Sequence, residues 1–340
     1  MKKHIGVVIG VFTALTVVVL TKQPSAQVVT PADLQDLAAS EAAAAATTSK
    51  FQQALIRHRP VYRFDSAEDF FPLSVSAITN NTGNRLLRVN DALLAKRNAD
   101  GSGLNISYLR FPVYPTGDAV LDDDKLVERH GASNPDADYL HDARQAQRNP
   151  SLRNRIYGRI RYTRNAANQI DGAWLQYWVF YYYNSFHVGP FGKHEGDWEM
   201  IQIQVNENAT PQRAVYAQHN TGSICRWDHV ERTGPGGARP VVYVGGGSHA
   251  SYFTHGSHNV PDVPGGDRAD GNGRSLSNER LRTITANSPR WVRWPGFWGG
   301  TKRSVGFIPT DSPKGPAFQG DKWGNPDRWA NDVNGTDHCK

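Results

Sequence analysis

Two neighbouring runs, Trp174-Leu175-Gln176-Tyr177-Trp178-Val179-Phe180-Tyr181-Tyr182-Tyr183-Asn184 and Lys193-His194-Glu195-Gly196-Asp197-Trp198-Glu199-Met200-Ile201-Gln202-Ile203-Gln204-Val205, decide the fold class. The first is apolar along its whole length, as a strand covered on both faces must be. The second has a period of two from Asp197 onward. Asp197, Glu199, Ile201, Ile203 and Val205 share one face, while Trp198, Met200, Gln202 and Gln204 share the other. Two adjacent strands joined through the glycine-containing loop 189–192 predict an antiparallel pair.

Working outward, short β-branched and aromatic runs separated by Gly, Pro, Asn and Asp clusters continue from Pro60 onward. They predict strands at Val61–Phe64, Ile106–Phe111, Ile156–Thr163, Ala173–Tyr183, Asp197–Val205, Arg213–His219 and Pro240–Val244. Leu121–Gln147, rich in Asp, Arg and His, reads as an elaborated loop with at most one short helix. Residues 256–340 carry many Gly, Pro and Trp residues and little periodicity. Trp291, Trp294, Trp298, Trp323 and Trp329 are expected to anchor this segment as a coat rather than to form an exposed ligand platform. The expected fold is mainly β, an antiparallel β-sandwich with long loops and a few short helices, forming one domain over residues 60–340.

Upstream of that domain the chain changes character twice. Lys2 and Lys3 precede an apolar run from Ile5 to Leu20 and then Pro24-Ser25-Ala26, the order of a secretory signal peptide over residues 1–26. The alternative is an uncleaved anchor, although the run falls short of the roughly 20 residues that span a bilayer. Residues 27–59 start with Thr30-Pro31-Ala32-Asp33, a helix start, and continue through an alanine run at 42–46. They read as an Ala-rich helix or linker, either a stalk or a loosely docked helix. The expected location is therefore secreted or extracytoplasmic.

Cleavage would remove Lys2, Lys3 and Lys22 and no acid, taking the formal charge from +6 to +3. So even a balance gives no concentrated basic face, and nucleic acid is not an expected partner. The chain has two cysteines, Cys225 and Cys339, which rules out a cysteine metal site and permits one disulfide in an oxidising compartment. No Gly-x-Ser-x-Gly elbow, phosphate-cradling loop or dinucleotide fingerprint is present. Nothing in the sequence specifies an oligomeric state.

The chemistry is expected at the start of the second quoted run. Asp197 and Glu199 open a face that is otherwise apolar, where two carboxylates repel each other and lose hydration, a cost that a cation removes. His194 lies three residues earlier across a glycine, and Asn184 ends the preceding strand; these four are the candidate metal ligands. His219 follows Val215-Tyr216-Ala217-Gln218, and His249 follows Val244 through three glycines and Ser248. If the protein is an enzyme, these two are the candidate proton-transfer residues. The oxygen-rich set suits calcium or magnesium, while the added imidazoles leave zinc or manganese open.

The segments Trp174–Asn184, His194–Glu199, Gln218-His219 and Gly247–Tyr252, with Tyr62–Asp65 and Trp294-Pro295-Gly296, resemble the family named for vacuolar protein sorting protein sixty-two, over about residues 60–330. More distantly, His194, Asp197, Trp198 and Glu199 resemble the heptapeptide of the necrosis- and ethylene-inducing peptide-like proteins. Here Gly196 replaces that family's second histidine, and Asn184 stands near a position where it has an aspartate. The second resemblance implies a β-sandwich with a calcium- or magnesium-type site that engages sphingolipid headgroups at a membrane surface. Three functions follow as expectations: a metal-dependent protein binding a lipid headgroup or glycan, a metal-dependent hydrolase of phosphoester type, or a structural module of the cell envelope.

Overall fold

Each long apolar run pairs with its neighbour in sequence, and the whole architecture is arranged around that ladder. The computed structural model describes residues 48–129, 136–186, 192–259, 265–300, 312–333 and 339. The signal segment 1–26 and most of the alanine-rich segment lie outside the described residues. In chain order the strands are β1 (Val61–Phe64), β2 (Arg85–Leu87), β3 (Leu93–Lys96), β4 (Lys125–Val127), β5 (Arg155–Arg164), β6 (Ile170–Asn184), β7 (His194–Asn206) and β8 (Pro211–Gln218). They continue as β9 (Thr221–Arg226), β10 (Arg232–Thr233), β11 (Arg239–Val244), β12 (Ser251–Tyr252), β13 (Gly256–His258), β14 (Asp267–Ala269), β15 (Ser275–Leu276) and β16 (Arg280–Thr283). The helices are α1 (residues 48–57), α2 (Ser76–Asn80), α3 (Asp136–Arg148), α4 (Asp321–Gly324) and α5 (Pro326–Asp332).

The largest sheet has the order β16-β5-β6-β7-β8-β9, and a second runs β10-β11-β1-β15 with β12 on β11. A three-stranded sheet β3-β2-β4 and the hairpin β13-β14 complete the described set. Among the described residues the named strands pair antiparallel except at β1–β11 and β16–β5, where strands far apart in sequence run parallel. The protein is thus mainly β, with several mostly antiparallel sheets and a few short helices.

Both faces of the large sheet are buried. On one, Leu175, Tyr177, Val179, Ile201, Ile203 and Tyr216 pack with Tyr62, Phe64, Val242 and Val244 of the second sheet. On the other, Trp174, Trp178, Phe180, Trp198 and Met200 lie under Tyr139 and Ala143 of α3 and the tryptophans of the C-terminal coat. Trp291, Trp294, Trp298, Trp323 and Trp329 are all buried, so these aromatics close the sheet, as the sequence led us to expect. Covering both faces explains why β6 is apolar at nearly every position.

Three expectations differ from the structure. Ile106–Phe111 is not a strand: Ile106–Tyr108 forms a 3-10 turn whose Asn105 side chain accepts from the Ser107 amide, and Pro112 follows Phe111. A local cap overrides β propensity there. Leu121–Gln147 holds β4 and the 13-residue helix α3, not mainly loop. Its buried stripe of Tyr139, Ala143 and Ala146 is sparse among charges, so the helical period is faint. Finally, α1 is no free stalk: Phe51, Ala54 and Leu55 are buried in the inner core, and Tyr177 Oη donates to Leu55 O at 2.9 Å. The packed unit accordingly begins at Thr47 and not at residue 60.

Cys225 of β9 and Cys339 are joined by a disulfide with Cα atoms 5.6 Å apart, across a separation of 114 residues. Closing so long a loop removes conformational freedom from the unfolded chain. Reduction should therefore lower stability by about 2–4 kcal/mol, read as a shift of the urea unfolding midpoint with and without dithiothreitol.

Candidate functional site

The register of β6 on β7 places Asn184 opposite His194, Tyr183 opposite Glu195, Tyr181 opposite Asp197 and Val179 opposite Glu199. In a regular strand Glu195 and Asp197 would share a face. Here Glu195 turns to the α3 side, accepting from Tyr139 Oη at 2.9 Å and from the Gly300 amide at 2.7 Å. Asp197 turns to the opposite side and meets His249. The reversal occurs at Gly196, whose φ is +54°, and a Cβ there would overlap the carbonyl oxygen of Trp298. Glycine is thus required twice over, for its backbone conformation and for its lack of bulk.

Both carboxylate oxygens of Asp197 have partners. Its Oδ1 accepts from the Trp198 amide at 2.8 Å, and its Oδ2 lies 2.9 Å from His249 Nδ1. On the other side of the His249 ring, Nε2 stands 3.4 Å from Glu68 Oε1. Glu68 is itself held by the Phe70 amide at 2.6 Å and the Gly247 amide at 2.7 Å. The His249 ring also stacks on Tyr181, with centroids 3.8 Å apart and planes 3° from parallel. Burial alone would strip the charge from this imidazole, but the Glu68 and Asp197 carboxylates outweigh it and push its pKa up to about 10. Burial likewise acts to raise the Asp197 carboxyl, yet the His249 hydrogen bond and the charges of His194 and His249 leave it below the usual carboxylate range.

Glu199 is the opposite case. It is buried, its Oε2 has no hydrogen-bond partner, and burial followed by the nearby Asp197 charge drives its pKa well up. His194 is half-buried, with Nε2 2.9 Å from Asn184 Nδ2 and Nδ1 2.8 Å from Gly196 O. Asn184 Oδ1 accepts from the Phe186 amide at 2.9 Å. Asn184, His194, Asp197 and Glu199 therefore gather at one end of the β6–β7 ladder, as the spacing suggested. Their donor atoms, however, are largely spent on one another and on backbone. Among the described residues, no three His, Cys, Asp or Glu side chains are arranged to hold a metal ion.

The two remaining histidines reach the same region from separate hairpins. His219 begins the two-residue turn between β8 and β9, with a φ of +54° at a position usually given to glycine. Its Nε2 is buried without a hydrogen-bond partner, 3.9 Å from Asp267 Oδ2, and burial lowers its pKa. The Phe186 ring lies 6.0 Å away. His249 has a φ of +57° in the turn after Gly247. Two non-glycine residues in left-handed backbone, each costing of order 1 kcal/mol or more, mark the region as one where geometry is held against local preference.

Sequence reasoning missed Glu68, Asp267 as a member of this cluster, and Lys322. Asp267 stood in a run of turn residues, but its Oδ2 accepts from Ser248 Oγ at 2.5 Å and Tyr252 Oη at 2.9 Å. Lys322, two residues after Gly320 in the coat, donates from Nζ to His219 O at 2.8 Å. No local pattern announces either contact. Residues 65–68 were noted only at Asp65, three positions short of the acid that matters.

Gly196→Ala should lower stability by more than about 2 kcal/mol and should disturb the site, because the reversal of faces cannot form; chemical unfolding and the near-ultraviolet circular dichroism of the surrounding tryptophans will report both. Comparison of the chain with protein-family models, curated proteins and solved structures finds no match.

Proposed function

We propose that this is a secreted β-sandwich protein whose β6–β7 strand end binds a divalent cation of the magnesium or calcium type and, with it, a lipid headgroup or glycan at a cell or membrane surface. One observation carries the reading: Glu199 keeps a carboxylate oxygen buried and unpartnered beside the Asp197 carboxylate. A buried acceptor without a partner is costly, and a second carboxylate next to it raises that cost. A cation meets both demands.

The donor set favours a particular kind of ion. Asp197 and Glu199 would supply oxygen, with the remaining coordination left to water or ligand. Magnesium is commonly held in that way, by one or two carboxylates and several waters. A structural zinc site would use four protein ligands and a catalytic one three. Phe186, His194 and His219, all half-buried, would face what approaches from solvent. The resemblance of His194, Asp197, Trp198 and Glu199 to the heptapeptide of the necrosis- and ethylene-inducing peptide-like proteins supports the lipid or glycan partner.

The hydrolase alternative assigns proton transfer to His219 or His249. Of the two, His219 is the better placed, since its side chain is partly exposed, whereas His249 is fully buried between two acids.

Titration calorimetry of the mature protein with magnesium and calcium tests the proposal. Glu199→Gln should reduce affinity at least about tenfold while leaving the thermal midpoint unchanged or raised, because it removes a buried repulsion. Unaltered affinity in that variant, or no uptake by the wild type, would refute the site. Sedimentation with sphingolipid vesicles, with and without EDTA, then tests the partner.

A further inference from the structure

An even balance of charge along the sequence predicts no concentrated basic face, yet the fold builds one at an edge of the large sheet. The edge strand β16 runs parallel to β5 in a register that sets Arg280 beside Arg155 and Arg282 beside Tyr157. Leu281 and Ile156, the pair between them, pack into the inner core. By alternation the three arginines belong to the coat-side face, the other side of the sheet from Asp197 and Glu199. Like charges directly across neighbouring strands repel.

Backbone contacts nonetheless hold these side chains together. Arg155 Nη2 donates to Ser151 O at 3.4 Å, and Arg280 Nη1 donates to the adjoining carbonyl, Pro150 O. A third guanidinium meets the same turn: Arg274 Nη2 donates to Asn154 Oδ1 at 2.7 Å and Nη1 to Gln147 Oε1 at 3.4 Å, with the group 4.7 Å over the Phe71 ring. Asn154, left-handed with a φ of +56°, also accepts the Arg280 amide on its carbonyl at 2.7 Å. Arg282 is exposed, and its side chain has no hydrogen bond among the described residues. Among those residues none of the four arginines forms an ion pair; the acid next to Arg280, Glu279, is buried and taken by Arg59 and Arg239. Neutral carbonyls and amides fix where the guanidiniums stand but leave their charge uncompensated, and each has five N–H donors.

We propose that Arg155, Arg274, Arg280 and Arg282 form a binding face for a polyanionic glycan carrying sulfate or phosphate esters. A planar guanidinium fork suits such an oxyanion group, and forks already fixed lose less freedom when they bind. Along β16 the Arg280 and Arg282 positions are about 6.6 Å apart, so successive esters of one chain meet successive arginines. A bilayer surface fits less well. None of the exposed large apolar side chains among the described residues belongs to segments 147–155 or 274–283, leaving nothing to enter the acyl region.

Calorimetric titration of the mature protein with heparin, a sulfated glycan, tests the assignment, with neutral dextran, anionic phospholipid vesicles and a DNA duplex alongside. Heparin should bind in the presence of EDTA, weaken as salt rises and outcompete the other three. Arg155→Gln/Arg280→Gln should bind at least about tenfold more weakly. Arg282→Gln, which gives up no hydrogen bond within the described chain, should bind at least about threefold more weakly with a thermal midpoint unchanged or raised, because it relieves repulsion. Absence of heparin binding, undiminished binding by both folded variants, binding abolished by EDTA, or equal binding of vesicles or DNA would each overturn the proposal.

Discussion

The close approach of Gly196 to the Trp298 carbonyl is the constraint on which the site depends. Without the local reversal of β7 at that residue, Glu195 and Asp197 would point the same way, and one acid would be stranded on the wrong side of the sheet. With it, Glu195 ties the coat side to α3 through Tyr139, and Asp197 joins the histidines facing the second sheet. One strand thus serves two polar environments, one on each face of the sheet. Trp298 is itself fixed among Trp198, Trp291 and Trp294, with ring centroids 5.5–5.8 Å apart, so the carbonyl that excludes a side chain at residue 196 is held by a cluster of tryptophans.

The electrostatics follow from how the acids are shared out. Asp197 has an imidazolium and a backbone amide and is held ionised. Glu199, one pleat further along, has burial, an ionised neighbour and a free oxygen, and is pushed toward its neutral form. Glu68 fixes the far side of His249, and Asp267 gathers Ser248, Tyr252 and, more distantly, His219. Four acids from three segments, two of them on β7, converge within a largely apolar interior. Folding can tolerate such a concentration because each partner was placed by a strand or turn that the hydrophobic packing already dictates.

Much of this was legible in the sequence where local periodicity carries information. The continuous apolar run of β6 and the alternation in β7 identified both strands, the pairing between them and the shared face of Asp197 and Glu199. The strand ends also pointed to His219 and His249. What stayed hidden came from long-range placement. Glu68, Asp267 and Lys322 arrive from loops and short elements with no period of their own, and only the tertiary fold brings them near residue 197. The helical stripe in α3 was too sparse to read among its charges, and the alanine run obscured the apolar contacts of Phe51, Ala54 and Leu55. At Ile106 a single Asn cap outweighed a strand-like composition.

The disulfide between Cys225 and Cys339 has a consequence for how the molecule fails. His249, Asp267 and Lys322, which reach the site from beyond residue 225, lie inside the covalent ring it closes. A protease that cuts one exposed loop within that ring leaves the two pieces still linked, with the severed ends held on the same scaffold. Damage of that sort opens the circle without shedding any part of it.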